Sequence, residues 1–201
     1  MERLDRQMRF VTEIGRLKGV LRQTVLAGSG LNRPENSAEH SWHLAMMALV
    51  LAEHAPPGTD LGKVTAMVLL HDLVEIDAGD LFLYADEDQQ ARQEFAERAA
   101  ADRIFAILPA DQGTFSRELW DEFNERQTSE AKFARALDRL QPMLENLTAG
   151  GGTWQRYGVT ADQVLAKVRL IEDGSATLGA LARKLIAQAV AAGILAPSPA
   201  A

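Results

Sequence analysis

The chain has 201 residues, a formal net charge of −7 and no cysteine. That length suits one domain with a sizeable core, and the negative charge argues against a nucleic-acid polymer as partner. The missing cysteines exclude disulfides, thiolate zinc sites and cysteine nucleophiles. Hydrophobic residues make up 47% and charged residues 24%, an ordinary globular balance. The opening MERLDRQMRF lacks the apolar run of a signal peptide, and no stretch reaches the roughly 18–20 apolar residues of a bilayer span. A reducing, cytoplasmic setting without membrane contact is the expectation.

Taken in order, Leu4, Met8, Val11, Ile14 and Leu17 fall on a three-four repeat, which predicts an amphipathic helix over 3–20 that trails on to about Leu26. Residues 27–34, AGSGLNRP, read as a loop. A second helix begins near Ser37, a candidate N-cap, although capping-box spacing falls on Asn36 and Glu39. Trp42, Leu44, Met47 and Leu51 are expected in its core face, and APPGTD stops it after His54. A third helix starts near Leu61. The remaining helices are expected over 88–108, 115–126, 129–147 with Pro142 as a kink, 159–171 and 176–192. TAGGGTW, residues 148–154, reads as a turn, since it lacks the lysine and hydroxyl of a phosphate-binding loop. With no alternating pattern and no repeat, the chain is predicted to be all-α: a single bundle of about eight helices over 1–195, with a frayed tail at 196–201.

Residues 66–80, AMVLLHDLVEIDAGD, set His71, Asp72 and Glu75 into an apolar run, with Asp77, Gly79 and Asp80 beyond. Buried ionisable groups without partners are costly, so pairing or metal ligation is expected. On a regular helix His71, Asp72 and Glu75 project into one sector. The other histidines are His40, His43 and His54, and His40 sits in the first turn of the second helix. Asp138 lies among Phe133, Ala134, Leu137 and Leu140, where a solvent-facing carboxylate is out of place. Periodicity leaves open whether it serves a metal or pairs with Arg135 or Arg139.

The ordered set His40…His71-Asp72…Asp138 resembles the HD-domain metal-dependent phosphohydrolases. The segments PENSAEH, LLHDLVEIDAGD and EAKFARALDRLQ resemble their 5′-deoxynucleotidase-like branch, over roughly residues 14–143. The resemblance implies one divalent ion held by His40, His71, Asp72 and Asp138, with Glu75 orienting or activating the attacking water and Asp80 assisting. Mixed imidazole and carboxylate ligands suit Co, Mn, Mg, Fe or Zn and select none of them. Arg22 matches the arginine that contacts substrate phosphate, and Lys18, one turn earlier, is a second candidate unless it lies on a solvated face. The implied substrate is a small nucleotide, a (deoxy)nucleoside 5′-monophosphate, and the implied assembly a homodimer; Leu178, Leu181, Leu185, Ile186 and Val190 form a stripe that either covers the domain or pairs with a second copy. Where the branch has a tryptophan after that arginine, this chain has Gln23, Thr24 and Val25. The rival readings are an HD phosphohydrolase on another phosphate ester, including a pyrophosphate-releasing one, and a non-catalytic nucleotide-binding protein. A di-iron oxygenase would need histidines after the HD pair, and none exists. His43, His54, Trp42 and Trp120 read as structural. Glu39 serves either His40 or the helix N-terminus.

Overall fold

The computed structural model describes residues 1–26 and 30–199. Among them ten α-helical segments run from α1 (Glu2–Ile14) through α2 (Ser37–Val50), α3 (Leu61–Leu70), α4 (Glu75–Ala78), α5 (Glu87–Phe105) and α6 (Ala110–Glu125). They continue with α7 (Ser129–Thr148), α8 (Gly152–Arg156), α9 (Ala161–Gly174) and α10 (Ala176–Ala191). The all-α expectation holds, and setting aside the single turns α4 and α8 leaves the eight long helices predicted. The exception is a two-stranded antiparallel sheet, β1 (Leu21–Leu26) with β2 (Arg33–Asn36).

That sheet corrects the sequence reading. The first helix does not trail on to Leu26: after Ile14 it tightens into a 3₁₀ turn, Gly15–Gly19, and the backbone is extended from Val20. Two glycines weaken the helix, and β1 then gains ladder bonds to β2 that a ragged helix end would lack. Of the predicted loop, residues 27–29 lie outside the described residues, and Arg33 and Pro34 belong to β2. Register shifts between Leu21 and Val25, a bulge of the kind that re-aims side chains near functional sites.

Caps set the helix starts. Asn36, not Ser37, caps α2: its side chain accepts from the Glu39 backbone N–H, and the Glu39 carboxylate accepts from the Asn36 N–H. Glu39 thus serves the helix N-terminus, and Arg33 pairs with it. Trp42, expected inside, is 65% exposed, whereas Leu44 and Met47 are buried. Trp120 is buried and donates its indole N–H to the His71 carbonyl. The tail is tied at Ala196, whose carbonyl accepts from the Ala161 N–H, and residues 200–201 lie outside the described residues.

Helix α7 is central, packing against α2, α3, α6, α9 and α10. It buries Phe133, Leu137 and Leu140 in the main core, while Arg135, Asp138 and Gln141 recur every third residue as a buried polar stripe. Helix α9 crosses it at very short range, since a Cβ on Gly174 would lie 2.2 Å from the Lys132 carbonyl oxygen. Gly174→Ala is expected to cost about 1–3 kcal/mol, as overpacking does. A denaturation midpoint equal to the wild type's would show that the two helices separate without penalty.

Candidate active site

The metal-ligand candidates come from three elements. His40 lies in the first turn of α2, Asp138 mid-way along α7, and His71 and Asp72 in a 3₁₀ turn, His71–Val74, that joins α3 to α4. The regular-helix geometry expected for the last pair is therefore not the observed one. All four residues of the turn, His71, Asp72, Leu73 and Val74, are buried, so the change of winding does not carry His71 and Asp72 out to the surface. Gly79 then ends α4 at φ 74°, a conformation side-chain-bearing residues avoid, and Asp80 is turned back toward Arg22.

His40, His71 and Asp72 offer ligand atoms within 4.8 Å of one another. Asp138 joins them: its Oδ1 lies 3.2 Å from His40 Nε2 and 3.7 Å from His71 Nε2. The ion-pair reading of Asp138 is observed through its other oxygen: Oδ2 faces Arg135 at 3.0 Å and Arg139 at 3.4 Å, which leaves Oδ1 toward the imidazoles. The second ring nitrogens fix the tautomers. His71 Nδ1–H donates to the Val68 carbonyl at 2.9 Å. His40 Nδ1–H donates to Gln141 Oε1 at 3.0 Å, and Gln141 Nε2 donates in turn to Glu35 at 2.8 Å. Each imidazole is thus anchored through Nδ1 and turns Nε2 inward, His40 Nε2 onto Asp138 Oδ1 at 3.2 Å, the support that metal-binding histidines use. His71 Nε2 is buried without a hydrogen-bond partner, although Asp72 Oδ1 stands 2.9 Å away at an angle that makes none. An orphaned buried nitrogen facing carboxylates fits a divalent ion, and the donor set of two imidazoles and two carboxylates suits it.

Electrostatics point the same way. Burial alone would depress His71, but the Asp72 and Asp138 charges outweigh it and push it up to about 10. Burial opposes ionisation of Asp72 as well, yet the charges of His71 and Arg22 hold it well below the carboxylate range. The same carboxylates that hold a proton on His71 would hold a metal ion in its place. Glu75 differs: burial and the neighbouring charge of Asp72 hold it well above its ordinary value, and it accepts a hydrogen bond from Ser37 at 2.5 Å. A carboxyl shifted upward beside a hydrolytic site is suited to exchange protons.

Arg22, on the bulged part of β1, reaches Asp72 at 2.9 Å, Glu35 at 3.4 Å, Asp80 at 3.6 Å and Glu75 at 3.9 Å. Burial works against its charge, and the carboxylates more than restore it. Lys18 is not brought in: it is exposed on the 3₁₀ turn and does not line the cavity. His43 stays at the edge, near Gln141 and Glu145, and His54 ends a short 3₁₀ turn.

Arg22, His71, Asp72, Glu75, Asp80 and Asp138 line a cavity of about 590 Å³, a size that suits a small ligand. Phe82, Tyr84 and Trp154 form its aromatic wall, with the Phe82 ring 5.4 Å from Tyr84 and 4.4 Å from Tyr157. Sequence reasoning passed over this wall, and over Glu35 and Gln141. Gln141 carried one local signal, its spacing of three from Asp138.

Comparison with known proteins agrees with the geometry. The HD domain family model matches residues 14–178. The human 5′-deoxynucleotidase HDDC2 is 29% identical over 138 residues, 69% of this chain and 65% of that protein. Its Xenopus laevis counterpart is 31% identical over 142 residues, 70% of this chain and 67% of that one. The chain thus spans about two thirds of the length of these curated relatives. A crystal structure from Magnetospirillum magnetotacticum, described as a predicted metal-dependent phosphohydrolase, is 50% identical with a TM-score of 0.92, covering 98% of this chain and 97% of its own. The match takes in His40, His71, Asp72 and Asp138, whose side chains converge beside the cavity, and the chain belongs to the HD domain family.

Proposed function

We propose that the chain is a metal-dependent phosphomonoesterase acting on (deoxy)nucleoside 5′-monophosphates and releasing nucleoside and phosphate. The observation that carries this is the buried, unpartnered His71 Nε2 among His40, Asp72 and Asp138, with Glu75 and Arg22 in the same cavity. The curated relatives' name, 5′-deoxynucleotidase, supports the substrate class. A divalent ion held by these four residues would supply Lewis acidity and lower the pKa of water. Glu75 takes the proton from the attacking water as the water oxygen bonds phosphorus and the bond to O5′ breaks, and that proton passes to O5′ so that the nucleoside leaves as the alcohol. Ser37 holds the Glu75 carboxyl through Oε2. Arg22 takes charge on the phosphoryl oxygens, a role its planar fork suits. Asp80 accepts from the Gln23 backbone N–H and faces Arg22, so it fixes that strand against the site. Phe82, Tyr84 and Trp154 receive the sugar and base in place of the tryptophan this chain lacks after Arg22. Cytoplasmic location belongs to the same reading; among the described residues no helix is long and apolar enough to cross a membrane. So does a homodimer, but not through the α10 stripe, because Leu178 and Ile186 are buried within this fold.

The test is phosphate release from a panel of ribo- and deoxyribonucleoside mono-, di- and triphosphates, with Co²⁺, Mn²⁺ or Mg²⁺ restored after chelation. Inactivity on every monophosphate would remove the reading. Arg22→Ala is expected to lower kcat/KM by on the order of 10², through both KM and kcat, since charge on the phosphoryl oxygens grows toward the transition state. Arg22→Lys should recover little, because a point charge cannot replace the fork. Recovery to near wild type would show that only charge matters there.

A further inference from the structure

The metal-ligand candidates and Arg22 account for only one side of the cavity. Four further cations line it around Asp138: Arg135 and Arg139 from α7, Arg126 from the end of α6, and Lys167 from α9. Arg135 is engaged, lying over the Phe123 ring at 4.3 Å and pairing with Asp138. Arg139 shares that same carboxylate at 3.4 Å. Among the described residues neither Arg126 nor Lys167 forms an ion pair, although carboxylates such as Glu97 and Asp121 line the same cavity. Asp138, itself turned toward the metal site, is the carboxylate shared by Arg135 and Arg139, and it leaves Arg126 and Lys167 without an ion-pair partner within 4 Å among the described residues. Burial, and then the charges of Arg139 and Arg126, hold Lys167 below its ordinary range, so the cations act on one another. Arg126 also adopts a left-handed conformation, φ 58°, that glycine or asparagine would take at less cost. Packing gives no reason to collect repelling charges here, whereas a bound anion would neutralise them.

Resting on the phosphomonoesterase reading, we propose that Arg126, Arg139 and Lys167 form a second phosphate subsite, so that the preferred substrate carries a phosphate besides the one cleaved. That phosphate belongs either to a 3′,5′-bisphosphate, whose 5′ monoester is hydrolysed at O5′ to leave the nucleoside 3′-phosphate and orthophosphate, or to a 5′-diphosphate, whose terminal P–O bond takes the water and leaves the nucleoside 5′-monophosphate and orthophosphate. The kinetic test compares kcat/KM for deoxyadenosine 5′-monophosphate, 5′-diphosphate and 3′,5′-bisphosphate in the wild type, Lys167→Met and Arg126→Gln. One doubly phosphorylated compound should exceed the monophosphate about tenfold in the wild type, and each variant should cut that ratio about tenfold, as losing one charge-assisted hydrogen bond does. The favoured compound identifies where the second phosphate is attached. A wild-type ratio near one for both compounds, or a ratio unmoved by both variants, overturns the subsite. Calorimetric titration with inorganic pyrophosphate and orthophosphate needs no turnover. A pyrophosphate preference in the wild type that shrinks in Lys167→Met supports the subsite even if no nucleotide is hydrolysed, and an equal preference in both proteins counts against it. Matching thermal midpoints of the variants and the wild type keep folding out of the comparison.

Discussion

His71→Ala is expected to abolish stoichiometric binding of a divalent ion and to cut turnover by about 10³-fold or more, because Lewis-acid catalysis contributes several kcal/mol. This is the cleanest of the ligand substitutions. The His71 ring makes one hydrogen bond, to the Val68 carbonyl, and its backbone carbonyl still receives the Trp120 N–H when the side chain is gone. Asp138→Ala should lose the ion equally but also lower the thermal midpoint, since Arg135 and Arg139 would face each other without their shared carboxylate. Elemental analysis of the purified proteins, with melting curves alongside, separates the two. One tightly held ion per chain is expected for the wild type. Two tightly held ions per chain, or an ion retained by His71→Ala, would reject this ligand set.

Glu75→Gln is expected to keep the ion and lose on the order of 10²–10⁴ in kcat, the range of a general acid–base group. The substitution preserves the shape that Ser37 grips and removes only the capacity to take a proton. The lost charge also leaves Arg22 with one carboxylate fewer, its contact at 3.9 Å, the longest of the four. Substrate binding should therefore change less than turnover, and the two are read apart as KM and kcat under saturating metal. Near wild-type turnover would take Glu75 out of the mechanism.

Much of this molecule was legible in the sequence where the information is local. Three-four spacing of apolar residues located the eight long helices, because burial of one face dictates that period. The Asn36–Glu39 spacing announced a capping box, since both partners lie within one turn. His71, Asp72 and Glu75 stood out as ionisable groups in an apolar run, and resemblance supplied His40 and Asp138. The apolar surroundings of Asp138 foretold its burial and its neighbours the pairs with Arg135 and Arg139, though periodicity could not show that its other oxygen faces two imidazoles.

Only the tertiary structure decided the rest. β1 exists because β2 supplies its hydrogen bonds, and so short a pairing partner across a loop leaves no periodic trace. Trp42 shares its helix with buried Leu44 and Met47, and only the placement of neighbouring helices leaves its indole outside. The Glu35–Gln141–His40 chain spans α2, its preceding strand and α7, and no one of its members looks unusual in its own segment. The gathering of Arg126, Arg139 and Lys167 follows from three helices meeting at one cavity, where each alone would pass as a solvated arginine or lysine. Sequence periodicity reports which face of an element is buried; which side chains from distant elements meet there is fixed by how the helices pack.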